Sequence, residues 1–224
     1  MKDQHIPGMP EHEIEPVPGL PERLPDGEGI IWQGSPAWWP FARRAMHLKG
    51  LGFYFLALVA WHLVESMMAG GSLLAALAGP SLSVVLASLC LVILAFIGRA
   101  AARSTLYTIT NRRIVMRVGV ALPMTINIPF SAVQSASVRR HADGTEDIVL
   151  ALLPEHRVSM VALWPHLRPW RMGRPEPMLR GLPVSAGASQ VLSRMLAASA
   201  QMPVPAAVTE PPRRPVRLPG EAVA

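Results

Sequence analysis

The sequence predicts an α+β membrane protein: a two-helix transmembrane hairpin followed by a cytoplasmic antiparallel β-barrel or sandwich that a C-terminal helix closes. Three observations predict this fold class. Residues 50–98 contain a single charged side chain, Glu65. Beyond Arg103 the apolar residues recur at every second position, which is the periodicity of strands. After Ser185 they recur with the spacing of one helix face.

Composition describes a basic, apolar chain and excludes several kinds of site. Half of the 224 residues are apolar, and the net charge of +6 comes almost wholly from arginine, because Lys2 and Lys49 are the only lysines. Cys90 is the only cysteine, which excludes an intramolecular disulfide and a thiolate zinc site. The sequence has no nucleophile motif, phosphate-binding glycine loop or paired metal-binding histidines. We therefore expect a protein that is not an enzyme and has no cofactor or metal, and the dispersed arginines argue against nucleic-acid binding.

The N-terminal segment is polar and rich in proline, and it has no apolar stretch of the signal-peptide kind, so no cleavable signal peptide is expected. A first strand is predicted at Glu28–Gly34, followed by Trp38, Trp39 and Phe41 as an anchor at the membrane interface. The predicted organisation has five parts: 1–27 polar N-terminal segment, 28–49 first strand and juxtamembrane segment, 50–98 helical hairpin, 99–201 cytoplasmic domain, and 202–224 disordered tail.

Two apolar stretches are each long enough to cross a bilayer as a helix, which takes about 20 residues. The first is Leu51–Ala69, and the second is Gly79–Ile97, with a start as early as Leu73. Gly70 and Gly71 suit the end of the first helix, and Pro80 suits the first turn of the second. A tight helical hairpin is predicted.

Basic residues flank the hairpin on one side only. No lysine or arginine lies between the two spans, so the positive-inside rule predicts that both termini face the cytoplasm. Each basic residue near an anionic membrane surface contributes about 1 kcal/mol to binding. The predicted lipid contacts are Arg43, Arg44, Lys49, Arg99 and Arg103.

His62 and Glu65 are polar residues inside the first span, three positions apart on one helix face. Polar groups in a span are functional candidates, since burying them without a partner is costly. Glu65 would reach the distal interface while His62 bonds to the neighbouring helix or to a partner. In the alternative interpretation, His62 ligates a pigment or heme.

The cytoplasmic domain is predicted to contain six short strands joined by local turns at Asn111-Arg112 and Asp143-Gly144. The acids Asp143, Glu146 and Asp147 lie near the second turn, where we expect them to be solvated. Ser185 is the predicted N-cap of the final helix. Seven strands with a C-terminal helix constitute the pleckstrin-homology (PH) architecture. The predicted strands are Leu106–Thr110, Arg113–Gly119, Met124–Phe130, Ala132–Val138, Glu146–Leu152 and Val158–Trp164.

Several segments resemble known proteins. "GEGIIWQGSP", "YTITNRRIVMRVG" and "INIPFSAVQSASVRR" resemble the bacterial PH-like membrane-protein family. "MPEHEIEPVPGLPERLP", "RRHADGTEDI" and "LWPHLRPWRMGRPEPMLR" are similar to its PuhB branch, the photosynthetic-complex assembly proteins of purple bacteria. The resemblance implies a non-enzymatic assembly factor for the photosynthetic reaction centre, located in the bacterial inner membrane and contacting reaction-centre subunits or other assembly factors. The resemblance does not decide whether the protein forms a homo-oligomer.

Arginine and tryptophan are the residue types most enriched in binding hot spots, and they are concentrated between Trp164 and Pro183. This proline-rich segment is predicted to be an irregular strap, and it either covers the sheet or docks a partner. Tip arginines of the first hairpin are weaker candidates. The predicted partner contacts are Arg168, Trp170, Arg171, Arg174, Arg112 and Arg113. The alternative function is a PH-like membrane protein that binds anionic lipids or envelope partners outside photosynthesis.

Overall fold

The computed structural model describes residues 19–20, 23–70, 73–120, 122–169 and 173–201, with the backbone alone for 73–79. The chain order begins with one strand and three helices, continues with a run of strands, and ends with a helix. The elements are β1 Ile30–Gly34, α1 Trp38–Ala45, α2 Leu48–Met68, α3 Leu73–Ser104, β2 Leu106–Thr110, β3 Arg113–Val118, β4 Met124–Pro129, β5 Val133–Arg140, β6 Thr145–Leu152, α4 Met160–Leu163, β7 Met178–Pro183 and α5 Ala188–Gln201.

The two predicted apolar helices are confirmed, and both are longer than predicted. Helix α2 and the part of α3 from Pro80 to Ser104 are each long and apolar enough to span a membrane. They pack against each other, and α2 has no buried residue, so its apolar surface faces outward as a lipid-facing surface does. Pro80 lies inside α3 rather than in its first turn, because the leucines and alanines of 73–78 extend the helix before it.

The strands form two antiparallel sheets, a four-stranded sheet in the order β1–β2–β3–β4 and a three-stranded sheet in the order β5–β6–β7. The alternative of a closed barrel is wrong, since β4 and β5 are consecutive but do not pair among the described residues. The fold is a PH-like β-sandwich. Its apolar core comes from both sheets and from α5, and its largest members are Tyr107, Ile109, Ile114, Met116, Ile128, Ile148, Leu150, Leu179, Leu182 and Leu192.

The predicted apolar stripe of the C-terminal helix packs on this core, with Ala188 and Leu192 buried and Val191 and Met195 partly buried. The predicted N-cap, Ser185, is wrong. Residues Val184–Ala186 form a short 3-10 turn, Gly187 takes a left-handed conformation with φ +67°, and α5 begins at Ala188. Ser185 is therefore too far from the free amides of α5 to cap them.

The predicted sixth strand of the cytoplasmic domain, Val158–Trp164, is also wrong. Residues Met160–Leu163 form the one-turn helix α4, and Met178–Pro183 occupies the edge beside β6. Part of the predicted strap is thus a strand. An edge position tolerates Pro183, and a left-handed Gly181 (φ +64°) accommodates an irregular register with β6.

Helix α1 joins the two long apolar helices to the sandwich. The buried side of α1 packs on the end of α3, and a Cβ at Gly98 would lie only 2.6 Å from the Cβ of Ala42, so this crossing requires glycine. At its start the amide of Ala37 donates to the carbonyl of Gly181 at 2.8 Å. Phe41, predicted as part of an interface anchor, is instead buried at this junction, whereas Trp38 and Trp39 are exposed.

Candidate functional site

A buried hydrogen-bond chain connects the end of α3 to β7. The hydroxyl of Thr105 donates to the carbonyl of Ala101 at 2.7 Å, so it accepts from Nε2–H of His166 at 3.0 Å. Nδ1 of His166 then accepts from the hydroxyl of Tyr107 at 2.7 Å, and that oxygen accepts from the backbone N–H of Arg180 at 3.1 Å. When the imidazole of His166 is neutral, each polar atom of this hydrogen-bond chain has a partner.

Burial shifts the pKa values of this chain. His166 is fully buried, and burial, aided by the positive charge of Arg180, lowers its pKa to about 3. Burial likewise raises the pKa of Tyr107 and lowers that of Arg180, the latter against the attraction of Asp147. The imidazole is therefore neutral at physiological pH and acts as a fixed donor and acceptor.

Asp147 is the carboxylate that offsets the buried charge of Arg180. It accepts from the amide of Gly181 at 2.7 Å and contacts Nε2 of His141 at 2.8 Å. Arg180 donates through Nη1 to the carbonyl of Pro165 at 3.0 Å, but its buried Nε has no hydrogen-bond partner in the part of the chain that the structure describes. The guanidinium of Arg180 thus keeps an unsatisfied donor.

Glu146 is fully buried and caps α5. Its carboxylate accepts from the amide of Ser189 at 3.2 Å and from the hydroxyl of that residue at 3.0 Å. A carboxylate at this position also offsets the positive end of the helix dipole. The expectation that Glu146 and Asp147 are solvated turn acids is wrong. Both lie inside β6 and accept hydrogen bonds from other segments of the same chain, β7 and α5.

An ionic clamp, formed by Arg43, Arg44, Asp143 and Thr145, ties α1 to the β5–β6 turn. Asp143 receives Arg43 at 2.8 Å and Arg44 at 3.2 Å, and Arg44 also donates to the hydroxyl of Thr145 at 2.6 Å. The hydrogen bond from that hydroxyl and the charge of Arg44 hold the pKa of Asp143 below its ordinary value. Two predicted lipid contacts, Arg43 and Arg44, are therefore already paired with the β-sandwich.

Beside the clamp lies the basic cleft, an open cavity of about 770 Å³ between α1 and the outer face of the three-stranded sheet. Among the described residues, four arginines and two histidines line it, against the single carboxylate of Asp147. Exposed β5 forms one wall and Pro169 part of the other. The basic lining residues are Arg44, His47, Arg139, His141, Arg168 and Arg180. The positive charge of this cleft attracts anionic groups.

The predicted partner contacts on the strap do not all lie together. Arg168 lines the basic cleft and pairs with Glu176 at 3.0 Å. Arg174 is exposed in a separate, smaller cleft with Arg157. Trp170 and Arg171 lie outside the described residues. Arg168 is therefore the predicted strap contact that lies in the basic cleft.

The other arginine candidates lie at the far end of the first hairpin. The turn between β2 and β3 is separated from α3 by the length of β2, as predicted. There Arg113 pairs through Nε with Glu28 at 2.8 Å, and Asn111 donates to the carbonyl of Gly27 at 2.8 Å. Arg112 is exposed. This end fastens β1 to the hairpin, and contact of either arginine with a partner stays a prediction.

The remaining membrane candidates are distributed along the helices. The guanidinium of Arg99 lies 4.8 Å from the ring centre of Trp38, and exposed Arg103 lines a second cleft with Arg117.

His62 shares a hydrogen bond with Ser83 of α3 at 3.1 Å, which is the neighbouring-helix interaction expected from the sequence. Glu65 is exposed. Lipid contact by Lys49, Arg99 and Arg103 stays a prediction, as does a pigment or heme on His62. Within the described residues, no group of three or more potential ligands could hold a metal ion.

The clamp is open to test. Asp143→Ala should release the β5–β6 turn from α1 at a cost of about 1 kcal/mol, the scale of partly exposed ion pairs. We expect faster hydrogen exchange at the turn amides, including that of Thr145. A double-mutant cycle with Arg44→Ala measures the coupling. Additive effects of the two substitutions would contradict the clamp.

Comparison with known proteins identifies a family and a relative of similar length. The model of the family described as "Bacterial PH domain" matches residues 53–164. A protein of Rhodobacter capsulatus, described as an uncharacterised 23.7 kDa protein in the puhA 5' region, is 33% identical over 206 residues, covering 91% of this chain and 95% of its own length. No solved structure matches.

Proposed function

The chain belongs to the bacterial PH domain family, and from this premise we propose that it is a non-enzymatic assembly factor for the bacterial photosynthetic reaction centre. Domains of this family are generally non-catalytic. We propose that the protein resides in the inner membrane as a multi-pass protein with both termini in the cytoplasm. Its clients are reaction-centre subunits or other assembly factors.

The observation that carries this proposal is the relative in the puhA 5' region, which lies within a photosynthesis operon. The relative aligns along nearly the whole of both chains, including the strap and the segment before α1. This extent agrees with the PuhB-type resemblance of the segments before and after the sheet. The alternative function, lipid or envelope binding outside photosynthesis, explains the family membership but not this gene neighbourhood.

The basic cleft is the surface that we assign to the client. It lies beside α1, and therefore beside any subunit inserted next to the hairpin. Arg139 and Arg168 are exposed on its two walls and suit acidic groups of a client. Arginines in such positions contribute more to binding than most other residues.

Deletion of the gene in its own organism should lower the near-infrared absorption band of the reaction centre in isolated membranes, with restoration by the wild-type gene. Reaction-centre subunits should co-purify with the tagged wild-type protein. The double variant Arg139→Ala/Arg168→Ala should reduce this co-purification by roughly tenfold, because hot-spot residues cost more than about 1 kcal/mol each.

The matched control is Arg157→Ala/Arg194→Ala, which removes the same charge from exposed positions outside the cleft. It should co-purify the subunits like the wild type. An unchanged reaction-centre band in the deletion strain would reject the assembly function. Equal losses in both double variants would reject only the assignment of the cleft.

A further inference from the structure

A groove of about 450 Å³ lies between α1 and the two spanning helices. Its surface is apolar along the helices and cationic at one end. Trp39 forms one wall, Leu48 and the α3 residues Leu91, Val92 and Ala95 form the floor, and Arg43 and Lys49 lie at the cationic end. This end is where the hairpin meets the cytoplasmic domain, the level expected for lipid headgroups.

The groove continues into a polar cleft of about 370 Å³ towards the β5–β6 turn. Arg43 and Lys49 line both cavities, so the surface changes from apolar to charged across these two residues. On the polar side lie Arg44, His47 and Asp143. A ligand that fits the whole path therefore needs an apolar part and a polar part in sequence.

The charge of this path is positive. Asp143 offsets part of the charge of Arg43 and Arg44, with which it pairs. Lys49 is exposed and makes no hydrogen bond or ion pair with a described residue. Three cations thus face one carboxylate, and the ammonium of Lys49 is available for a further anion.

We propose that the groove is a binding site for one anionic phospholipid. The phosphate and headgroup contact Lys49 and Arg43, and one acyl chain lies along Leu48, Leu91 and Ala95. Basic pockets between membrane helices on the cytoplasmic side bind anionic headgroups, and the apolar floor excludes a free phosphate as the full ligand. None of the residues that we assign to the lipid lines the basic cleft, although the polar end of the path shares Arg44 and His47 with it, and the lipid site does not depend on the assembly function.

The test is native mass spectrometry of the full chain in detergent with added palmitoyl-oleoyl phosphatidylglycerol, compared with phosphatidylcholine of the same acyl chains. The wild type should retain one phosphatidylglycerol in preference to phosphatidylcholine. Lys49→Gln should lower its affinity about fivefold, and Ala95→Trp, which fills the floor without changing charge, should also lower it. The control Arg194→Gln removes one charge from exposed α5 and should bind like the wild type.

Equal retention of the two lipids by the wild type would overturn the headgroup assignment. Unchanged binding by Lys49→Gln, or an equal loss in Arg194→Gln, would overturn the location of the site. The lipid test and the reaction-centre test have independent readouts, so either proposal can fail while the other stands.

Discussion

Asp147→Ala should destabilise the sandwich by about 1–3 kcal/mol, the cost of leaving a buried hydrogen-bonding group without its partner. Asp147 offsets the positive charge of Arg180, which is half-buried and whose Nε has no hydrogen-bond partner among the described residues. The substitution also removes the acceptor of the Gly181 amide. We expect loss of protection from hydrogen exchange along β6 and β7, which flank this pair.

Glu155→Ala is the matched control, since this side chain is 77% exposed and, among the described residues, its only ion-pair contact is a weak one with His156 at 4.0 Å. It should change stability by less than about 0.5 kcal/mol. Similar protection of β6 and β7 in Asp147→Ala and the wild type would show that Arg180 does not need this carboxylate. Asp147→Asn should give an intermediate effect, because the amide keeps an acceptor for Gly181 but loses the charge.

Acidification should destabilise the fold through His166. Its pKa is about 3 in the folded protein, against about 6.5 in an unfolded chain. The unfolded state therefore gains a proton first as the pH falls. The stabilisation is fully present above pH 6.5 and is lost progressively towards pH 3, at up to about 1.4 kcal/mol per pH unit. At pH 4 the loss is of the order of 3 kcal/mol.

Melting temperatures between pH 7 and pH 4 should therefore decrease more steeply for the wild type than for His166→Gln. The variant is less stable at pH 7, since glutamine does not reproduce both hydrogen bonds of the ring, but it has no buried base to protonate. Carboxylates titrate in both proteins, so the difference between the two slopes isolates His166. His156→Gln, an exposed control, should retain the wild-type slope. Parallel curves for the wild type and His166→Gln would contradict the role of His166.

The spans and most strands follow directly from the sequence because their signals are local. A run of apolar residues predicts α2 and α3, and two-fold alternation predicts β2 to β6. The prediction fails for β7, because Gly181 and the prolines at 177 and 183 interrupt the alternating pattern by which a strand is recognised. It fails also for Val158–Trp164, whose apolar residues serve a one-turn helix.

The polar side chains of the candidate site are much less predictable. Glu146 could have been assigned to the interior, because it continues the alternation of Ile148, Leu150 and Leu152 on the core face. His166, Asp147 and Arg180 give no such signal, since their partners come from three distant parts of the chain. Arg43 and Arg44 follow the rule for membrane-flanking residues, and their pairing with Asp143, about a hundred positions later, depends on how α1 packs.

Helix α3 continues to Ser104, and β2 begins at Leu106, so Thr105 is the whole connection between them. This residue is buried and bonded both to Ala101 and to His166. A connection of one buried, hydrogen-bonded residue does not allow α3 and the sandwich to rotate relative to each other. If α3 spans a membrane, as we propose, a thinner bilayer tilts this helix further, and the sandwich tilts with it as one rigid body. The position of the sandwich over the membrane surface would then depend on the thickness of the bilayer.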